Sequence, residues 1–467
     1  MLWCLFTNTR TFQRVFSRWS HRRADSLSLI NAAYPEIFRS LSVEQIDAAK
    51  DALDCHIYQA SGRSNERVFN LDVAKLLLQV SALMYERTSA PIHRALNTTR
   101  YSQNQHPPRR EPSPDTAREL AVIPGALLAT LVGADAADLV AAELHSNAED
   151  DTIAHFAQRL GLKFFTVSEL NTPSSAFCAL FYDPRRNFII LGFKGTAPTE
   201  FEEWIADFSY EPQDAGNWIR GFGKVHGGFM DRIFPRKINA GSGGRLPYDT
   251  IREAVKATAK TLLVGKPEGT EINLWFTGHS LGCAMSSLAY ARAINEPKEL
   301  RPEEGKVRVR DAYLFAAPIC VKADSVHGFN NRMNHNPHKT RTMWRITNGK
   351  DAVATSLPNF GDYAHWNLSP YNMFSFAHLG TEIVMRSAPQ PCLVRGDHVT
   401  PGTHIRIESA LPGDDDDEYY QGGRRRPSRF QRLQNIPLLG RLFAHGTAFY
   451  WDQLSRVGTG LCEWADM

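Results

Sequence analysis

The chain has 467 residues, of which 43% are hydrophobic and 22% charged, with a formal net charge of +3. That balance belongs to a globular protein, and so small a charge over such a length gives no support to nucleic-acid binding. The length exceeds one ordinary domain, so the expectation is one enlarged domain, or one with a small helical partner.

The N-terminal stretch MLWCLFTNTRTFQRVFSRWSHRR carries Arg10, Arg14, Arg18, Arg22 and Arg23 and no acid before Asp25. Phe12, Val15, Phe16 and Trp19 fall at helical spacing. This is the composition of a mitochondrial transit peptide or of a basic helix lying on an anionic membrane surface, and equally of a frayed basic tail. A secretory signal fits poorly, because the charges follow the short apolar stretch instead of preceding it.

From Leu41 to Thr88 the pattern is helical, with apolar residues every three or four positions in NLDVAKLLLQVSALMYERT. Residues 88–118, rich in Pro, Arg, Ser and Asn, read as an exposed loop. A small-residue helical stretch to about Leu144 and a helix near 151–162 follow. The longest uncharged run, Ala121 to Ala134, holds Pro124 and two glycines. It falls short of the roughly 20 residues that span a bilayer, so no transmembrane helix is expected.

The period then changes. FCALFY and FIILGF are two β runs around an Asp-Pro-Arg-Arg-Asn turn. An amphipathic stretch at 199–208, a Gly-rich connection, a helix at 249–263 and the strand INLWFT come next, followed by β runs at 307–317 and 342–347. Strands separated by helices predict a parallel sheet in an α/β fold. DDDDE followed by RRRP, within 411–429, reads as a solvated insertion. The seven cysteines, Cys4, Cys55, Cys178, Cys283, Cys320, Cys392 and Cys462, form no CxxC pair and read as reduced core thiols, which favours an intracellular protein.

TGHSLG at 277–282 lies between the apolar run INLWF and the helical stretch CAMSSLAYARAI. A G-x-S-x-G motif alone is weak, but a strand before it and a helix after it make Ser280 a candidate nucleophile on a sharp turn. Its flanking glycines suit a strained backbone where strand and helix approach closely. Acyl transfer also needs donors for a developing oxyanion. The Leu281 N–H follows automatically from the turn, and FKGT, directly after FIILG, offers the backbone and hydroxyl of Thr196.

These segments, together with EWIADF, VHGGF, FAAP and RITNGKDAVATSLP in that order, resemble the class 3 lipase family, the fungal-type triacylglycerol lipases with an α/β-hydrolase fold. The resemblance covers about residues 65–455. It implies a mostly parallel central sheet flanked by helices, a helical N-terminal extension and a lid helix. It further implies a single lipase-like domain over 41–467, preceded by the basic extension at 1–40 and carrying loop insertions at 88–118 and 387–441.

By this resemblance Thr196 takes the oxyanion position, Ser280 the nucleophile and Asp351 the triad acid, with Arg345 and Asn348 also matching. Lys194 departs from the family's usual arginine and loses that side chain's planar fork. Chain order requires the histidine to follow the acid, which admits His365, His378, His398, His404 and His445. His378 resembles a family segment that does not carry the base, and His445, in LFAHGTAFYWDQL, resembles the segment that does. His398 and His404 stay open, because Ser387 to Arg441 is longer than the family usually allows. His226 in VHGGF reads as a buried core histidine, and His279 as part of the motif without a base role.

Phe201, Trp204, Ile205 and Phe208 form an apolar stripe at i, i+3, i+4 and i+7, with Glu200, Glu202, Glu203 and Asp207 on the other faces. In the family this position is the lid. The implied reaction is hydrolysis of lipid esters without metal or organic cofactor, at a membrane or lipid-droplet surface that the protein contacts transiently. The competing expectation is an interaction protein that keeps a hydrolase fold without catalysis.

Overall fold

The computed structural model describes residues 41–55, 66–86, 152–168, 170, 178–195, 211–236, 246–302, 305–334, 341–355, 376–385, 392–395, 404–409, 434–435, 440–441 and 444–464. The basic segment 1–40, the stretches 88–118 and 411–429, Thr196, the stripe Phe201 to Phe208, His365 and His398 lie outside them.

The N-terminal part contributes α1 (Val43–Cys55), β1 (Glu66–Asn70), α2 (Leu71–Leu83), a 3-10 turn (Met84–Glu86) and α3 (Thr152–Arg159). α2 starts where the Asn70 side chain accepts a hydrogen bond from the Val73 N–H at 3.0 Å, which satisfies one of the unpaired donors of its first turn. Next come β2 (Lys163–Ser168), β3 (Cys178–Tyr182), β4 (Phe188–Phe193), β5 (Pro212–Asp214), β6 (Lys224–His226), α4 (Gly227–Ile233) and α5 (Pro247–Leu263). α5 opens with proline, whose missing N–H costs nothing at that position.

The central part is β7 (Glu271–His279), α6 (Leu281–Asn295), β8 (Lys306–Phe315), β9 (Val321–Lys322), α7 (Ala323–Asn334), β10 (Met343–Asn348) and α8 (Ala352–Thr355). The C-terminal part adds β11 (Phe376–Ala377), β12 (Thr381–Met385), β13 (Leu393–Arg395), β14 (His404–Glu408), α9 (Thr447–Leu454), β15 (Gly460–Leu461) and β16 (Glu463–Trp464).

Nine strands form one sheet in the order β16-β13-β12-β10-β8-β7-β4-β3-β2. The five inner strands, β4, β7, β8, β10 and β12, pair in parallel, while β2, β3 and β13 run antiparallel to their inner neighbours. Side chains alternate between the two faces, as strand geometry requires. In β4, Ile189, Leu191 and Phe193 enter the core beneath α4, α5 and α6, while Phe188 and Ile190 enter the one beneath α1, α2, α3 and α9. β7 alternates likewise, with Ile272, Leu274 and Phe276 on the first face and Trp275 on the second. A sheet buried on both faces explains why these strands read as largely apolar runs. This mixed sheet between helices has the α/β-hydrolase fold, with β7 near its middle.

Residues 66–70, expected within a helical region, form β1 instead. ERVFN pairs in parallel with β14, and that partner lies far beyond the reach of local periodicity. β15 completes this second sheet of three strands. A third sheet, β11-β9-β6-β5, is antiparallel. No helix among the described residues is long and apolar enough to cross a membrane.

Candidate active site

β7 runs straight into α6 with only Ser280 between them, and the turn demands an unusual backbone. Ser280 has φ 57° and ψ −130°, a region that costs a non-glycine residue about 1–3 kcal/mol. The strain is held by packing on every side. A Cβ on Gly282 would overlap the carbonyl oxygen of Phe193, and one on Gly278 would lie 2.8 Å from the carbonyl carbon of Gly282. Only glycines let strand and helix close so tightly, and the same contact brings the end of β4 against the turn. The Ser280 N–H is bound to the Phe315 carbonyl at 3.0 Å, which ties the turn to the end of β8.

Leu281 is the first residue of α6, so its N–H has no acceptor within the helix and belongs to the positive end of the helix dipole. Lys194, one residue after β4, is buried at 1% exposure. Thr196, two residues further, lies outside the described part.

Asp351 follows β10 and is completely buried. A buried carboxylate needs donors, and Asp351 has them on both oxygens. Oδ1 accepts from the Val353 N–H at 2.8 Å and the Ala354 N–H at 3.4 Å, at the start of the short α8. Oδ2 accepts from the Tyr450 hydroxyl at 2.7 Å. The Tyr450 oxygen accepts in turn from the Asn348 N–H at 3.1 Å. Burial opposes ionisation of Asp351, but the charge of His445 and hydrogen bonds from His445, Tyr450 and Val353 outweigh it and hold the carboxyl below its usual range.

His445 stands two residues before α9 and is 14% exposed. Its Nδ1 is 3.0 Å from each oxygen of Asp351, and its Nε2 is 2.8 Å from Ser280 Oγ. A carboxylate only accepts, so Nδ1 carries the proton and Nε2 is left to accept from the serine O–H. Ser280, Asp351 and His445, from three separate segments, therefore meet in one hydrogen-bonded line. The arrangement can remove a proton from Oγ and stabilise the resulting imidazolium.

Two other candidate histidines among the described residues stand in other segments. His378 Nε2 donates to the Ala317 carbonyl at 3.2 Å, and His404 is the first residue of β14. His226 is buried against the rings of Phe229 and Phe376 at centroid distances of 4.5 and 5.7 Å. Burial, then the nearby Arg232 charge, push its pKa from 6.5 down to about 3.

Sequence reasoning left Tyr450 unassigned, although a tyrosine on the apolar face of a helix must find a partner for its hydroxyl, and that need was a legible signal. Asn348 holds the Ala444 carbonyl through Nδ2 at 3.3 Å and Gln434 Oε1 at 3.1 Å, so the strand that leads to Asp351 grips the segment that bears His445. Arg345, at the centre of β10, forms a buried ion pair with Glu382 at 3.2 Å. Among the described residues no cluster of three or more His, Cys, Asp or Glu is placed to hold a metal ion.

Residues 190–360 match the family described as Lipase (class 3). A curated relative, the triacylglycerol lipase OBL1 of Ricinus communis, is 24% identical over 253 residues, which cover 49% of this chain and 43% of that protein. The chain thus spans less than half the length of this relative. Among solved structures, the Rhizomucor miehei lipase propeptide complex is 19% identical over 50% of this chain and 59% of its own, with a TM-score of 0.32. The lipase from Rhizopus microsporus var. chinensis is 16% identical over 62% and 82%, with a TM-score of 0.36. The segment similar to the class 3 lipase family thus contains both the elbow at Ser280 and the loop of Asp351.

Proposed function

We propose that the chain is a serine hydrolase that cleaves carboxylic esters of lipids through an acyl-enzyme intermediate. The observation that carries this reading is the hydrogen-bonded line from Ser280 Oγ through His445 to Asp351, built on a strained elbow at the end of a parallel strand. Ser280 Oγ attacks the ester carbonyl carbon while His445 Nε2 takes its proton. Asp351 holds the Nδ1 tautomer and stabilises the imidazolium. The Leu281 N–H and Thr196 receive the oxyanion. The intermediate collapses, the C–O bond to the alcohol breaks, and His445 returns the proton to the leaving oxygen. Water, deprotonated by His445, then releases the fatty acid and restores Ser280.

Acylglycerols or phospholipids are the substrate class. The apolar stripe of Phe201, Trp204, Ile205 and Phe208 would cover the acyl groove in water and open at a membrane or lipid-droplet surface, so that dispersed esters are cut slowly.

The test is labelling of the full chain by a fluorophosphonate probe in detergent, with Ser280→Ala beside it, followed by a panel of lipid classes. Labelling that vanishes in Ser280→Ala is the expected result. Equal labelling of both proteins, or of neither, overturns the reading and leaves a hydrolase fold used for interaction.

A further inference from the structure

The reaction above gives His279 no task, yet both of its ring nitrogens are engaged. It is the last residue of β7 and 2% exposed. Nδ1 lies 2.8 Å from the Tyr85 hydroxyl, and Nε2 lies 2.8 Å from the main-chain oxygen of His445. A carbonyl only accepts, so Nε2 carries the proton, and Nδ1 accepts from the Tyr85 O–H. A single neutral tautomer satisfies both partners. Burial, then the neighbouring His445, push the His279 pKa from 6.5 down to about 3, so this state persists across the neutral range.

The bond to His445 is of a different kind from those already described. Asp351 and Ser280 contact the two ring nitrogens of His445 and orient the imidazole. Neither sets the position of the backbone from which the ring projects. That backbone is gripped at two successive carbonyls: Ala444 O accepts from Asn348 on the acid's strand, and His445 O accepts from His279 on the nucleophile's strand. Each strand that supplies one partner thus holds the segment that supplies the third. The His279 ring also packs on His445, with centroids 4.9 Å apart, and meets Tyr450 and Tyr85 edge-on at 5.8 and 5.6 Å.

We propose that His279 is a positioning residue for His445, donating Nε2–H to its carbonyl so that the imidazole stands at the correct height over Ser280, and that Tyr85 locks His279 in the tautomer that can donate. This rests on the reading of Ser280 and His445 as nucleophile and base. Tyr85 comes from the 3-10 turn after α2, so the N-terminal helical layer takes part in aligning the reacting groups. Alignment is costly to lose, since a misplacement of about 1 Å can lower a rate by roughly 100-fold.

The experiment compares His279→Gln, whose amide can place an N–H near the position of Nε2, with His279→Leu, which has no donor, and with Tyr85→Phe, which frees the tautomer. Turnover of a p-nitrophenyl ester is measured per active site, titrated with the fluorophosphonate probe, as kcat and KM over a full pH range. His279→Leu is expected to lose about 50-fold in kcat and in labelling rate with KM within about twofold, and to displace the acid limb of the kcat/KM profile. His279→Gln should recover most of the loss, and Tyr85→Phe should lose about 5-fold. A residue that serves only stability would lower the fraction of active sites while each remaining site kept its rate and pH profile, and that result overturns the proposal. Gln performing no better than Leu also overturns it. Should His279→Leu fail to fold, Gln and Tyr85→Phe decide alone: unaltered kcat and pH profile in both sink the idea. Ser280→Ala separates the two levels, because labelling that depends on Ser280 while the His279 variants behave normally removes this inference only.

Discussion

The elbow at 278–282 and the segment at 440–454 meet at two hydrogen bonds, from Ser280 Oγ to His445 Nε2 and from His279 Nε2 to the His445 carbonyl, but are held by opposite means. The elbow is local: five consecutive residues, two of them glycines pressed against neighbouring backbone, force Ser280 into its strained conformation. The His445 segment has no such shape of its own. It is tethered by Asp351 across 94 residues, by Asn348 at Ala444 across 96 and by His279 across 166. The conformation of Ser280 is therefore set chiefly by a short peptide, and the placement of His445 by the whole fold. Substitutions in the first should act through steric clash, and substitutions around the second through loss of alignment.

The largest effect is expected at the point where the two meet. Ser280→Ala should lower kcat/KM by about 10⁴-fold or more on a soluble ester, and a residual activity above a few per cent would show that another group performs the attack. Gly282→Ala tests the steric half. Its new methyl overlaps the Phe193 carbonyl oxygen, so thermal unfolding should reveal a loss of about 3 kcal/mol or more. Gly349→Ala is the matched control. The nearest atom there, Val384 Cγ1, would be 3.7 Å away, and a change of about 0.5 kcal/mol or less is expected.

Tyr450→Phe probes the tethered half. It removes a donor to a fully buried carboxylate and the acceptor of the Asn348 N–H, and a charged hydrogen bond of this kind is worth about 1.5–3 kcal/mol. The expected result is a loss of roughly 10-fold in kcat at unchanged KM, and an effect on KM alone would remove Tyr450 from the alignment. A pH-dependent effect belongs to the buried neutral histidines His226 and His279. His226 and His279 have folded pKa values pushed from 6.5 to about 3, so below pH 6.5 the unfolded chain binds protons that the folded chain refuses. Stability should then fall as pH drops from 6.5 towards 3, by up to about 1.4 kcal/mol per pH unit for each group. The depressed Asp351 works in the same direction, its contribution being lost as pH falls through its folded pKa. Urea midpoints that stay level between pH 6.5 and 4 would contradict the neutral burial of both rings.

The same contrast explains what could be read before folding was considered. Ser280 was legible because its signal is contiguous: apolar strand, small turn, helix. β3, β4 and β7 were legible because burial on both faces makes each a largely apolar run. Asp351 and His445 were reached only through family resemblance, since an aspartate after a strand and a histidine before a helix have no local pattern that distinguishes them. β1 was misread as helical because its ladder is completed by residues beyond 400. The role of His279 was invisible for the same reason, its two partners lying 194 and 166 residues away.

The pairing of β1 with β14 bears on how the protein is made. Arg406 and Glu66, whose side chains bridge these strands at 2.7 Å, are 340 residues apart. A growing chain leaves the ribosome N-terminus first, so the strand that precedes α2 waits until residues 404–408 have been made before it can close its ladder. Until then β1 has no partner strand, and a nascent chain arrested short of residue 404 should be cut by proteases at residues 66–70.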